Sequence, residues 1–177
     1  AFVESQPATV QIGVVSFSAS GFSVQAPTNE QETVLAAIHR LRPERGTSLA
    51  HGILTALNTL ASEDDDGPAT RLYSDLTPAT APAPTPMPPG TYAPAAIVLL
   101  SDGENTAPPD PFEAAQAAAD RGVRVHTVGI GSAEGTTLQL EGFAVHTQLD
   151  EATLQEIAEM TGGSYYNAVD AEGLRSI

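Results

Sequence analysis

Ala95-Ala96-Ile97-Val98-Leu99-Leu100-Ser101-Asp102-Gly103-Glu104-Asn105-Thr106 decides the fold. A fully aliphatic run ends abruptly in a carboxylate, a glycine and small polar side chains. A run of this kind predicts a strand buried on both faces, as in the middle of a parallel sheet. Ligands of such sheets sit in the crevice beyond the carboxyl ends of the strands, where the strand order reverses. Asp102 stands at that edge and is the first candidate for chemistry.

Upstream, Val10 to Phe17 reads as a strand, and Gly21 to Gln25 as a second short one after a Ser-Ala-Ser-Gly turn. Thr28 or Asn29 can cap a helix whose apolar positions Val34, Leu35, Ile38 and Leu41 keep the helical period, with Pro43 as its stop. The next helix follows Gly46-Thr47-Ser48 and carries Leu49, Ile53, Ala56, Leu57 and Leu60 on one face. Composition then shifts. Eight of the fourteen prolines lie from Pro68 to Pro94, after the acid run Glu63 to Asp66. Residues 62–94 read as a long acidic, proline-rich surface insertion within a single domain, 1–177.

Downstream, Asp110-Pro111-Phe112-Glu113 is a helix start: an N-cap acid, proline at the first helical position and a glutamate at the third. That helix runs to Arg121 and closes on Gly122. Val123 to Ile130 is the next strand. Leu138 and Leu140, then Phe143, Val145 and Thr147, alternate with other residues on either side of Glu141-Gly142, which predicts an antiparallel hairpin. Asp150 caps a helix with Leu154, Ile157 and Ala158 inward, ending at Gly162-Gly163. Ser164 to Asn167 is a last strand, and Ala171 to Ile177 begins a final helix. Strands alternating with helices predict an α/β fold: a doubly wound, mostly parallel sheet flanked by helices, with an added β-hairpin.

Acidic residues outnumber basic ones 22 to 7, a formal charge of −15, which repels nucleic acid and anionic lipid. All seven basic residues are arginine, and they form no stripe. The absence of cysteine excludes disulfides, thiolate nucleophiles and zinc-thiolate sites. No apolar run approaches the roughly 20 residues that span a bilayer, so this segment is expected to insert in no membrane.

In this topology Thr47, in a loop leading into a helix, converges with Asp102 at a strand end. A threonine hydroxyl and a carboxylate, supplemented by water, suit a hard divalent cation such as Mg²⁺, with Mn²⁺ and Ca²⁺ also open. Each residue also has a plain structural reading. Thr47 or Ser48 can be the N-cap of the following helix, and Asp102-Gly103 an Asx-turn.

Arg45-Gly46-Thr47-Ser48 together with Leu99 to Thr106 resembles the von Willebrand factor A domain, as does Gly122 to Gly131. The likeness to bacterial membrane-anchored, BatA-like aerotolerance members extends to Leu149–Leu154 and Thr161–Tyr166. It covers nearly the whole chain apart from the proline-rich insertion. The resemblance implies a Rossmann-like fold and a metal-ion-dependent adhesion site (MIDAS). There, Thr47 ligates the ion directly and Asp102 holds it through water. A protein partner's acidic side chain completes the shell, so the metal bridges two proteins. It also implies a soluble domain of a membrane-anchored cell-envelope protein.

One family feature is missing. No Asp-x-Ser-x-Ser loop occurs in these residues, and Ala1 to Ser5 looks like the tail of the helix that follows it. The expectation is an incomplete amino end, or a first strand supplied by another chain. Without that strand, backbone groups and apolar surface on its neighbours lack partners.

Other signals are weaker. Gly46-Thr47-Ser48-Leu49-Ala50 resembles the serine segment of subtilisin-like proteases, but His39 is the sole upstream histidine and His51 shares a helix with Ser48. Gly129-Ile130-Gly131 lacks the spacing of a dinucleotide loop. His126, His146 and Glu104 read as packing or surface residues, and Tyr165 and Tyr166 as one core and one surface position. The expected function is therefore a non-enzymatic protein–protein interaction module, with a metal-free scaffold and a serine hydrolase as alternatives.

Overall fold

The computed structural model describes residues 2–42, 46–61, 92–131, 135–140, 143–147 and 149–168. The insertion up to residue 91, the hairpin turn at 141–142 and the final helix expected at 171–177 lie outside the described residues. Among the described residues, five helices and seven strands follow in order: α1 (Phe2–Ser5), β1 (Ile12–Phe17), β2 (Gly21–Thr28), α2 (Gln31–His39), α3 (Leu49–Ala61), β3 (Ala96–Ser101), α4 (Pro111–Asp120), β4 (Arg124–Ile130), β5 (Thr136–Leu140), β6 (Phe143–Thr147), α5 (Glu151–Thr161) and β7 (Tyr165–Ala168).

The aliphatic run forms β3, which pairs in parallel with β4, and β4 pairs in parallel with β7. The α/β class is as expected. The register puts Ile97 and Leu99 on one face with Val125 and Thr127, and α3, α4 and α5 all cover that face. Leu49, Ile53, Leu57, Leu154 and Ile157 are fully buried there. Each such side chain contributes about 1.5–3 kcal/mol of apolar transfer free energy. Alanines 114, 115 and 118 let α4 approach its neighbours closely.

The opposite face differs from the fully buried strand the sequence predicts. Val98 and Leu100 on β3, Ile130 on β4 and Tyr166 on β7 are each at least 40 % exposed. The reason is one-sided cover: among the described residues the crossover helices α4 and α5 lie on the same side, as successive right-handed crossovers in one direction require.

β1 and β2 form a separate antiparallel pair with α1 and α2 against it through Val3, Val14, Val34 and Ala37. α3 packs against β1, β2 and β3 together, so one helix spans both sheets. Yet β1 pairs only with β2 and β3 only with β4, leaving each with an unpaired edge among the described residues.

The helix ends follow the local signals closely. Asp110 accepts the N–H of Phe112 with Pro111 at the first position, and α5 ends on Gly162 in the left-handed region, φ +69°. α2 departs from expectation. Its N-cap is Glu30 rather than Thr28 or Asn29, and it stops at His39, which leaves Leu41 beyond its end; Ile38, within it, is exposed as well instead of facing the core. Thr28 instead ends a longer β2, its hydroxyl accepting the N–H of Glu30. β5 and β6 form the expected hairpin, Leu138 opposite Val145.

Candidate functional site

The parallel register aligns the carboxyl ends of β3 and β4 on one rim, Ser101 beside Gly129. The segment before α3 reaches that rim and is sewn to it. Thr47 N–H donates to the hydroxyl of Thr106 at 2.8 Å. The Thr47 carbonyl accepts from the N–H groups of Thr106 (2.9 Å) and Ala107 (3.0 Å). Leu49 N–H, an orphan donor of the first turn of α3, is taken by Oδ1 of Asn105 at 3.0 Å. The loops bearing Thr47 and Asp102 are therefore neighbours.

Ser48 has the structural role open to it at a helix start. It is fully buried, its hydroxyl donates to the carbonyl of Pro108 (3.1 Å) and accepts from His51 N–H (3.3 Å). Its own N–H donates to Ser18 O at 2.6 Å, tying the β1–β2 turn to the same rim. His51 Nδ1 lies 3.0 Å from Ala19 O, a contact that makes Nδ1 the donor. Ser48 thus spends its hydroxyl, and His51 its N–H and Nδ1, on the fold, and the hydroxyl of Ser48 is closed off from any acyl group.

Asp102 is half-buried at the end of β3. Its Oδ1 accepts the N–H of Glu104 (3.2 Å), the Asx-turn expected for this position, and the hydroxyl of Ser101 lies 3.4 Å away. The Ser101 hydroxyl in turn accepts Gly103 N–H at 3.1 Å. The Asp102 carbonyl accepts the N–H of Asp150 at 2.8 Å. No hydrogen bond within the described residues engages Oδ2 of Asp102 or the hydroxyl of Thr47. These two oxygens are what the site has to offer a ligand.

Both are hard donors of the type Mg²⁺, Mn²⁺ or Ca²⁺ takes. In number they fall short. No group of three or more histidine, aspartate or glutamate side chains that could hold a metal ion exists among the described residues. An ion here needs water and oxygens from outside this set.

Asn105, Thr106 and Asp150 also build the site, although residue type and spacing do not mark them as its members. Asn105 and Thr106 lie in the polar cluster that ends the aliphatic run, so proximity to Asp102 is the available signal. Asp150 reaches the site through a main-chain N–H, which leaves no side-chain signature. Elsewhere, His126 Nδ1 accepts the N–H of Ser164 at 3.1 Å; burial, and then the neighbouring Arg124 charge, hold its pKa below the ordinary value. Tyr165 packs on the core while Tyr166 is exposed, the split expected of adjacent strand positions.

Sequence models of the von Willebrand factor type A domain match residues 1–104 and 89–177, each half of the chain or more. The chain belongs to the von Willebrand factor type A domain family. A UPF0353 protein of Mycolicibacterium paratuberculosis is 31% identical over 187 residues, covering 99% of this chain and 48% of that protein. The chain thus spans about half the length of the curated relatives it matches. In fold it is similar to BatB from Bacteroides thetaiotaomicron, with TM-score 0.71 and 21% identity over 98% of this chain and 78% of that one. An aerotolerance-related membrane protein from Bacteroides fragilis gives TM-score 0.70 and 22% identity with the same coverage. The proximal thread matrix protein of the mussel byssus, solved with a zinc-occupied MIDAS motif, gives TM-score 0.54 and 16% identity, covering 89% of this chain and 30% of that one. These structural likenesses speak to the fold. No helix among the described residues is long and apolar enough to cross a membrane.

Proposed function

We propose that this von Willebrand A domain is a protein-binding module whose contact is made at the Thr47–Asp102 rim. One observation carries the reading. The two loops are held together by hydrogen bonds from Thr47 and Leu49 to Thr106 and Asn105, while the Thr47 hydroxyl and Asp102 Oδ2 stay free. In the full reading, Mg²⁺ is held by Thr47 directly and by Asp102 through water. An acidic side chain of the protein partner then completes the shell, and the ion joins two surfaces without activating a nucleophile. Mn²⁺ or Ca²⁺ would serve the same geometry.

On this reading the domain comprises residues 1–177 with 62–94 inserted, and of that stretch Ala93 packs on the main core, its N–H donating to the Gly122 carbonyl at 2.9 Å. The unpaired edges of β1 and β3, both packed on α3, support a further strand between them from the same or another polypeptide. By analogy with the membrane-associated neighbours, the parent protein belongs to the bacterial cell envelope and carries this part outside the bilayer.

Mn²⁺ titration followed by amide resonances examines the metal reading. Paramagnetic broadening is expected to centre on the amides of Thr47 and Glu104 and to disappear in Asp102→Ala. Broadening equal in wild type and Asp102→Ala, or absent from both, removes the ion from this rim. A metal-free scaffold is the second reading, favoured by the lack of a carboxylate–histidine cluster among the described residues. It predicts thermal stability indifferent to Mg²⁺, Mn²⁺ and Ca²⁺.

A further inference from the structure

We propose that Asp150 and Gly103 are positioning residues that fix the Asp102 carboxylate from outside its own strand. The proposal rests on reading Asp102 as the rim's ligand. Its observations come from a different part of the fold, the entry to α5.

Asp150 serves two elements with different atoms. Its carboxylate caps α5, Oδ1 accepting the N–H of Thr153 at 3.1 Å and Oδ2 its hydroxyl at 2.7 Å. Its backbone N–H donates to the carbonyl of Asp102 at 2.8 Å. The residue before it, Leu149, is buried in the main core beside Gly129. Asp150 is thereby a post set by the core on one side and by a helix cap on the other.

Gly103 presses against that post. Its φ is +82°, a conformation that disfavours any residue with a Cβ. A Cβ at 103 would also collide with the carbonyl oxygen of Asp150, a backbone atom that cannot swing aside. The two constraints act together. The chain must turn sharply after Asp102, and it must turn flush against the start of α5.

The consequence reaches the carboxylate through two short links. The turn places Glu104 N–H on Asp102 Oδ1 and Gly103 N–H on the Ser101 hydroxyl. With Oδ1 engaged by the turn, Oδ2 is the carboxylate oxygen left for a ligand. A ligand held this way loses little freedom on binding, which is the advantage of a preorganised site. Partners one step removed from a metal ligand commonly alter its affinity about tenfold or more.

Gly103→Ala, Asp150→Ala and Asp150→Asn, made in the full chain, test the proposal by two readouts. The first is amide hydrogen exchange of Glu104 and Asp150 relative to Val125, whose N–H is bonded to the buried Thr161 hydroxyl and reports global opening. The second is Mn²⁺ broadening at Glu104. Gly103→Ala and Asp150→Ala are expected to speed Glu104 exchange about tenfold relative to Val125, the scale of one lost hydrogen bond. They should weaken Mn²⁺ binding in parallel. Asp150→Asn keeps an N-cap oxygen and is expected to restore both.

Unchanged relative exchange at Glu104 in folded Gly103→Ala overturns the positioning role. Should that variant not fold, the Asp150→Ala and Asp150→Asn pair tests the role by the same ratio: acceleration in Ala with recovery in Asn supports it, and no difference between them overturns it. Wild type without Mn²⁺ broadening sinks the metal reading alone, since the exchange arm needs no ion.

Discussion

Thr47 and Thr106, 59 residues apart, are joined by three hydrogen bonds: the N–H of Thr47 donates to the Thr106 hydroxyl at 2.8 Å, and the N–H (2.9 Å) and hydroxyl (3.4 Å) of Thr106 both donate to the Thr47 carbonyl. This pair joins the loop before α3 to the loop after β3. It makes one rim out of two distant stretches of chain, and both candidate ligands sit on it.

Thr106→Val keeps the backbone bond and deletes the hydroxyl, leaving Thr47 N–H to find water at an exposed position. The expected loss is about 0.5–1.5 kcal/mol, with Thr106→Ser near wild type. Urea denaturation midpoints with unchanged slope measure it. A Thr106→Val midpoint equal to wild type means the pair is incidental.

Ser48→Ala removes a fully buried hydroxyl that serves Pro108 and the first turn of α3. Loss of about 1–3 kcal/mol is expected, because the Pro108 carbonyl loses its donor and the helix loses a cap. The same burial predicts that an activated-serine probe leaves Ser48 unlabelled in the folded protein. Mass-spectrometric detection of a probe adduct on Ser48 would bring the hydrolase reading back.

His126 makes stability depend on pH in a defined direction. Its neutral ring accepts the Ser164 N–H, and burial followed by Arg124 lowers its pKa in the folded state. The unfolded chain therefore takes up a proton first as pH falls through the ordinary histidine value of about 6.5. Stability contributed here is present above that value, declines below it, and levels off beneath the folded-state pKa. An NMR titration of His126 with its midpoint at or above about 6.5 contradicts this.

Leu154→Ala empties a fully buried position where α5 meets the main core, next to the Thr127 hydroxyl that donates to the Leu154 carbonyl at 2.8 Å. A cost of about 2–5 kcal/mol is expected. Leu41→Ala, at a position the helical period alone places inward, is expected to cost under about 0.5 kcal/mol because α2 ends before it. Equal costs at the two sites would mean that α2 continues in solution.

Much of the fold is legible in local patterns. Asp110-Pro111, Asp150 and Gly162 mark helix ends because capping uses neighbouring backbone groups, so its signal stays within a few residues. The inward face and end of α2 are not legible in the same way. Val34, Ile38 and Leu41 share a period whether or not a core lies opposite, and α1, β1 and β2 cover the stripe through Val34, Leu35 and Ala37. The burial expected of β3 holds on one face alone, since hydrophobicity cannot say which side the crossover helices take.

Residue types and spacing thus suffice for the α/β class, the hairpin, most helix boundaries and the pairing of Thr47 with Asp102 as candidates. Which polar atoms are already spent is settled partly by local turns, as at Asp102 Oδ1, and otherwise by long-range contacts that only the tertiary structure shows. Ser48 is consumed by Pro108 and His51, Asp102 Oδ1 by Glu104, and the Asp102 carbonyl by Asp150. Some of these partners are main-chain groups about 50 or 60 positions away, identical at every residue type, so no side-chain pattern announces them. Folding brings them together because buried backbone donors and acceptors must find partners once water is gone.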